Sequence, residues 1–127
     1  MGTIKYFENV EAWKTARELT LSVYSVSNQK PFSRDLGLVD QVRRAAVSIM
    51  SNIAEGFESQ TDRTFIKYLS IAKSSAGELR SQFYTALDQN YISKKEFDFI
   101  NELCNRVSSQ IYQFIKYLQE SIENKDL

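Results

Sequence analysis

The sequence predicts an all-α fold, an antiparallel up-and-down four-helix bundle formed as one domain over residues 1–127, and three observations carry that expectation. Apolar residues recur at steps of three and four along four long segments, the spacing that places them on one face of a helix. The 127 residues include one proline and four glycines, so there are few points at which helices could be interrupted. No segment shows the apolar–polar alternation of period two that a half-buried strand requires.

The first helix is expected over about residues 9–27, with Ala12, Ala16, Leu19, Val23 and Val26 as its apolar seam and Trp13 and Tyr24 widening it. Residues 28–35 break the helix, because Pro31 drives Lys30 out of the α region, and they form the longest connection. The second helix is expected over about 38–55, with Gly56 ending it in a left-handed turn. Thr61 can cap the third, expected over about 61–89, whose seam Phe65, Leu69, Ala72, Ala76, Leu79, Phe83 and Ala86 runs without a break. Gly77 falls in the middle of that helix, where close approach of another backbone would explain a residue that weakens helices. Asn90 suits a left-handed terminator, and Ser93 with Glu96 forms a capping box that starts the fourth helix, expected over about 93–122. Its seam is Phe97, Ile100, Cys104, Val107, Ile111, Phe114 and Leu118, and residues 123–127 read as a frayed polar tail. On that seam Cys104 reads as a small buried hydrophobe with no assigned chemistry.

The second helix carries the most information. Val42, Ala46, Ile49 and Ile53 form one apolar row, and Val47, Met50, Ala54 and Phe57 form another beside it. One bundle core covers one side of a helix, so the second row is expected to form an oligomer interface. Tyr68, Tyr84, Phe99, Tyr112 and Tyr117 fall outside the seams and add candidate contacts, since aromatic residues are favoured at interfaces. A third row, containing Ser48, Asn52 and Glu55, reads as a hydrogen-bonded seam facing Ser75, Glu78 and Gln82 of the third helix, with Arg43 or Arg44 available to pair Glu78.

Composition excludes several chemistries. The chain has one cysteine and no histidine, which removes disulfide frameworks, zinc clusters, histidine bases and Ser-His or Cys-His nucleophile pairs. No cofactor and no enzymatic activity are expected. The first residues lack an apolar secretory core and no stretch is long enough to span a membrane, so a cytoplasmic protein is expected. Gly2 is incidental, because an N-myristoylation pattern needs Ser or Thr where Tyr6 stands. Sixteen basic residues balance sixteen acidic ones, which argues against strong nucleic-acid binding by a single copy.

The segment from Gln41 through Arg43, Arg44, Ser48, Asn52 and Glu55 to Gly56 closely resembles the signature of the four-helix-bundle proteins encoded by intervening sequences in bacterial large-subunit ribosomal RNA genes. Trp13 and Ala16, Gly37 and Leu38, the third-helix residues Phe65, Tyr68, Leu69, Ile71, Ala72, Ser75, Ala76, Glu78 and Leu79, and Tyr91 with Ile92 extend the resemblance over nearly the whole chain. The resemblance implies a ring-like homo-oligomer, a pentamer, similar to the accessory subunits of diversity-generating retroelements, which associate with a reverse transcriptase and its RNA. It transfers Arg44, Ser48, Asn52, Glu55 and Glu78 as structural polar positions and no catalytic residue.

Two functions compete. A ring could collect modest basic clusters into one electropositive surface that binds structured RNA, with Arg43, Arg44, Arg63, Lys67, Lys73, Arg80, Lys94 and Lys95 as candidate contacts. Those residues can equally be solvated surface charge beside Asp40, Asp62 and Asp88. The rival is a scaffold that presents aromatic and polar surface to a partner protein, a reading that suits the neutral charge.

Overall fold

The computed structural model describes residues 4–126, so Gly2 lies outside the described residues. Four α-helices follow one another: α1 (Glu11–Ser27), α2 (Leu36–Glu58), α3 (Asp62–Asp88) and α4 (Lys94–Asp126). Short 3-10 turns, Phe7–Asn9 and Phe32–Arg34, precede α1 and α2. No strand occurs among the described residues. Each helix packs on its chain neighbours, and α1 closes the bundle against α4. Connections too short for crossovers leave consecutive helices antiparallel.

The four seams meet in one core. Leu19 and Val23 of α1, Ile49 and Ile53 of α2, Leu69 and Leu79 of α3, and Cys104, Ile111 and Leu118 of α4 are fully buried. Leu103 joins them and widens the seam of α4, while Phe114 is half-buried. Phe32, from the connection that interrupts the first two helices, is also fully buried. Its ring stands edge-on to Phe83 at 6.1 Å and stacks on Tyr91 at 5.3 Å, so the connection plugs the end of the bundle. Burying such a side chain contributes about 1.5–3 kcal/mol.

The helix ends show where local signals sufficed. Thr61 Oγ1 accepts from the Thr64 amide at 3.1 Å and caps α3. At the start of α4, the Ser93 amide donates to Glu96 Oε1 at 2.9 Å and the Glu96 amide donates to Ser93 Oγ at 3.1 Å, a complete capping box. Asn90 adopts φ 60°, and the Tyr91 amide reaches back to the Ala86 carbonyl at 2.9 Å, closing α3 in a left-handed turn. α2 begins at Leu36, ahead of the expected boundary, because the Asp35 carboxylate accepts from the Leu38 amide at 3.1 Å.

Three expectations are corrected. α2 does not stop at Gly56 but runs to Glu58, and no glycine among the described residues has positive φ. Gly56 is required by proximity instead, since a Cβ there would lie 2.7 Å from Phe65 Cδ1 and 2.9 Å from Tyr68 Cβ. Gly77 shows the reverse: among the described residues nothing lies within 4 Å of where its Cβ would stand, so no backbone among them approaches. The expected tail from residue 123 is helical through Asp126. Lys125 Nζ pairs with Asp62 Oδ2 at 3.3 Å, which ties the last turn of α4 to the first turn of α3 and places a cation at a helix C-terminus.

Candidate interaction surface

Where α2 crosses α3, the hydroxyls of Ser48 and Ser75 meet at 3.0 Å. Asn52, one turn along α2, donates from Nδ2 to the Ser48 carbonyl at 2.8 Å and to Ser48 Oγ at 3.1 Å. These small polar groups let the helices approach while their hydrogen bonds are met within the pair. Glu55 and Glu78 stand apart from this contact, both exposed to solvent. Glu78 Oε1 accepts from Gln82 Nε2 at 3.1 Å, and neither arginine of α2 pairs with it. Arg43 turns towards α1, where Nε donates to Ser27 Oγ at 3.0 Å and the guanidinium lies 4.5 Å from the centroid of the Tyr24 ring. Arg44 Nε bonds Asp40 Oδ2 at 2.9 Å, one turn back on its own helix. An exposed carboxylate keeps its water and needs no buried counter-ion, which is why Glu78 needs no arginine.

The second apolar row of α2 is unevenly covered. Val47 is exposed, whereas Met50, Ala54 and Phe57 are half-buried, Met50 and Phe57 against the core itself. The Phe57 ring meets Phe65 edge-on at 6.1 Å. The larger exposed apolar groups lie elsewhere: Leu36 is 76 % exposed, Leu21 65 % and Phe99 51 %. Leu21, Val26 and Phe99 line a groove of about 430 Å³ between α1 and α4, with Lys95 and Glu96 at its edge. Of the aromatic residues outside the seams, Tyr68 is half-buried, while Tyr84, Phe99, Tyr112 and Tyr117 are exposed. Leu21 and Leu36 lie outside the rows read from the sequence, yet each has apolar neighbours on the surface: Leu21 beside Val26 and Phe99, and Leu36 beside Val39 and Val47.

The eight candidate basic residues do not form one patch. Arg43 and Arg44 lie on α2, Lys95 edges the α1–α4 groove, and Lys94 pairs with Asp98 one turn along α4. Arg63, Lys67, Lys73 and Arg80 are exposed along α3. Arg80 Nε donates to Asn101 Oδ1 of α4 at 3.2 Å.

The titratable groups that depart from ordinary behaviour serve the fold. Burial pushes the Cys104 thiol up to about 12, against a smaller opposing effect of the Arg80 charge, so the thiol stays protonated and inert at neutral pH. The Tyr91 hydroxyl donates to Asp35 Oδ2 at 2.9 Å, and this bond to a carboxylate raises its pKa. Among the described residues no group of three or more His, Cys, Asp or Glu side chains could hold a metal ion. No described helix is long and apolar enough to cross a membrane.

The fold is shared with solved structures that include a protein of unknown function from the S23 ribosomal protein family of Bacteroides thetaiotaomicron VPI-5482. That structure superposes with a TM-score of 0.75 at 21 % identity, covering 83 % of this chain and 98 % of the other, a likeness of fold. No curated protein matches the sequence. Residues 8–113 match the family described as 23S rRNA-intervening sequence protein. The match takes in α1, α2, α3 and more than half of α4, and the chain belongs to this family.

Proposed function

We propose that the protein is a non-enzymatic, ring-forming homo-oligomer, a pentamer, that associates with RNA. The observation that carries this reading is the exposed apolar surface of an otherwise neutral bundle, with Leu21, Leu36 and Phe99 all more than half exposed. Apolar groups of this size gain by meeting a second copy. Assembly would add the basic residues of α3 from several copies into a stronger field than one neutral chain presents. The polar contact of Ser48, Asn52 and Ser75 acts within the protomer in this reading, and Val47 with its neighbours Met50, Ala54 and Phe57 forms an edge of the assembly.

A second reading, a protein-interaction scaffold without direct nucleic-acid contact, is favoured by one observation. Arg44, Lys94, Arg106 and Lys125 are each already paired with a carboxylate of the same chain. Light scattering at micromolar concentration and retention of structured RNA at about 50 and 200 mM salt decide between the readings. An oligomer whose RNA retention falls steeply with salt supports the first. An oligomer that retains no RNA at low salt supports the scaffold, and a monomer overturns the assembly.

A further inference from the structure

We propose that the outer cleft between α3 and α4 is a contact surface for unpaired RNA, in which Tyr84 and Tyr112 stack on bases while Lys73, Arg80 and Lys116 hold phosphates. The proposal rests on the RNA-associated reading above and names the surface that reading would use.

Lys73, Gly77, Arg80 and Tyr84 follow one another at steps of four, three and four, so they line one side of α3. That side faces α4, because Arg80 Nε reaches Asn101 Oδ1 and the Tyr84 ring lies 4.8 Å from Phe97. On α4 the residues at helical spacing from Asn101 include Asn105 and Tyr112, with Lys116 one turn further on. Lys73, Gly77, Arg80, Tyr84, Tyr112 and Lys116 are all exposed.

Charge is the first argument. The side of α3 that faces α4 carries Lys73 and Arg80, with Asp88 one turn beyond Tyr84; Lys116 adds a cation from α4, Asp62 is paired with Lys125, and Glu78 lies away from this side, bonded to Gln82. Asp98 and Glu102 of α4 are paired with Lys94 and Arg106. A net-neutral protein therefore shows a locally positive cleft, and a phosphate backbone is the polyanion such a cleft attracts.

The aromatic residues identify the form of nucleic acid. Tyr84 is 47 % exposed although its ring packs against Phe97, so one part of the ring is covered and the rest is open. Tyr112, further along the same cleft, is 53 % exposed. Exposed rings interleaved with cations suit bases that are free to leave their own stack, which a duplex does not offer.

Gly77 is the independent observation. Glycine weakens a helix interior, and nothing among the described residues requires it, since a Cβ there would meet open space. It leaves bare backbone between Lys73 and Arg80, which are separated by about 10 Å along the helix. A strand crossing the cleft could approach the helix there, with a cation on either side.

The test uses the full-length chain and fluorescence polarisation of a labelled single-stranded RNA of mixed sequence, with a duplex of equal length as comparison, at low salt. The expected results are preference for the single strand, a loss of at least tenfold in Lys73→Ala/Arg80→Ala with a shallower salt slope, and a comparable loss in Tyr84→Ala/Tyr112→Ala. Gly77→Gln should lose at least fivefold while its thermal midpoint is unchanged or higher and its native mass is unchanged. If the unaltered protein binds and either the tyrosine or the Gly77→Gln variant binds equally well, the cleft is the wrong surface while the RNA reading stands. If Gly77→Gln lowers the native mass, the stripe meets a second copy and the proposal is overturned. If the unaltered protein binds no RNA, both readings fall.

Discussion

Gly56 of α2 and Gly77 of α3 are both helical, and each weakens its helix by up to about 1 kcal/mol relative to alanine. Their surroundings are opposite. Gly56 is buried where the first turns of α3 press on α2, with Phe65 and Tyr68 inside the space a methyl group would need. Gly77 faces open space on the outer side of α3. The difference shows that a helix-weakening residue marks a constraint without saying on which side of the molecule it lies. At Gly56 the constraint is the packing of two helices of one chain, and at Gly77 nothing among the described residues supplies it.

Substitutions can break this comparison or sharpen it. The largest effect is expected from Gly56→Ala. Its methyl group meets Phe65 Cδ1, Tyr68 Cβ and, at 3.2 Å, the Phe65 backbone oxygen, so α2 and α3 must part. Overpacking of this kind should lower the unfolding free energy by about 1–3 kcal/mol, measured by urea titration, and an unchanged midpoint would show that the helix pair gives way freely. Asn52→Ala, further along the same helix pair, removes two hydrogen bonds to Ser48 and should cost about 1 kcal/mol in the same assay. Glu55→Ala, one turn beyond Asn52 and exposed, serves as its control and should stay within about 0.5 kcal/mol of the unaltered protein.

Gly77→Ala is expected to move stability the other way, raising the unfolding free energy by up to about 1 kcal/mol. A destabilised Gly77→Ala protein would mean that the open side of α3 is covered in solution.

The smallest effect concerns the core side of α4 and appears only in alkali. The Cys104 pKa is raised to about 12 from an ordinary value of 9.0, so the folded state keeps a proton that the unfolded state releases. The resulting stabilisation is complete below about pH 9 and is lost as the pH rises from there towards 12. Urea midpoints at pH 8 and pH 9.5 should therefore fall less in Cys104→Ala than in the unaltered protein, by under about 1 kcal/mol. Parallel curves would place the thiol in contact with water.

Much of the bundle was legible because its signals are local. The seam of α3 from Phe65 to Ala86 is buried throughout, Thr61 and the Ser93–Glu96 box start their helices through side-chain bonds to backbone amides within a few residues, and Asn90 closes α3 in a left-handed turn. The start of α2 is less legible, because Asp35 suits the end of the connection as well as the cap ahead of Leu36 that it forms. Phe32 was missed for a different reason: no periodicity exists in a connection, and its place between Phe83 and Tyr91 depends on elements far away in the chain. The candidate surface was less legible still. Spacing put Arg43 and Arg44 near Glu78, but orientation about the helix axis sends one to α1 and the other to Asp40.

What the sequence determined by itself is the number of helices, their amphipathic seams and most of their ends, because these follow from hydrogen bonds and side-chain spacings that span at most a turn or two. What only the tertiary structure decided is which off-seam residues are sheltered. Phe57 finds cover against Phe65, while Leu21 and Leu36 do not. The physical reason is that exposure depends on the distance and rotation of the neighbouring helix, and neither is written into the period of a single one.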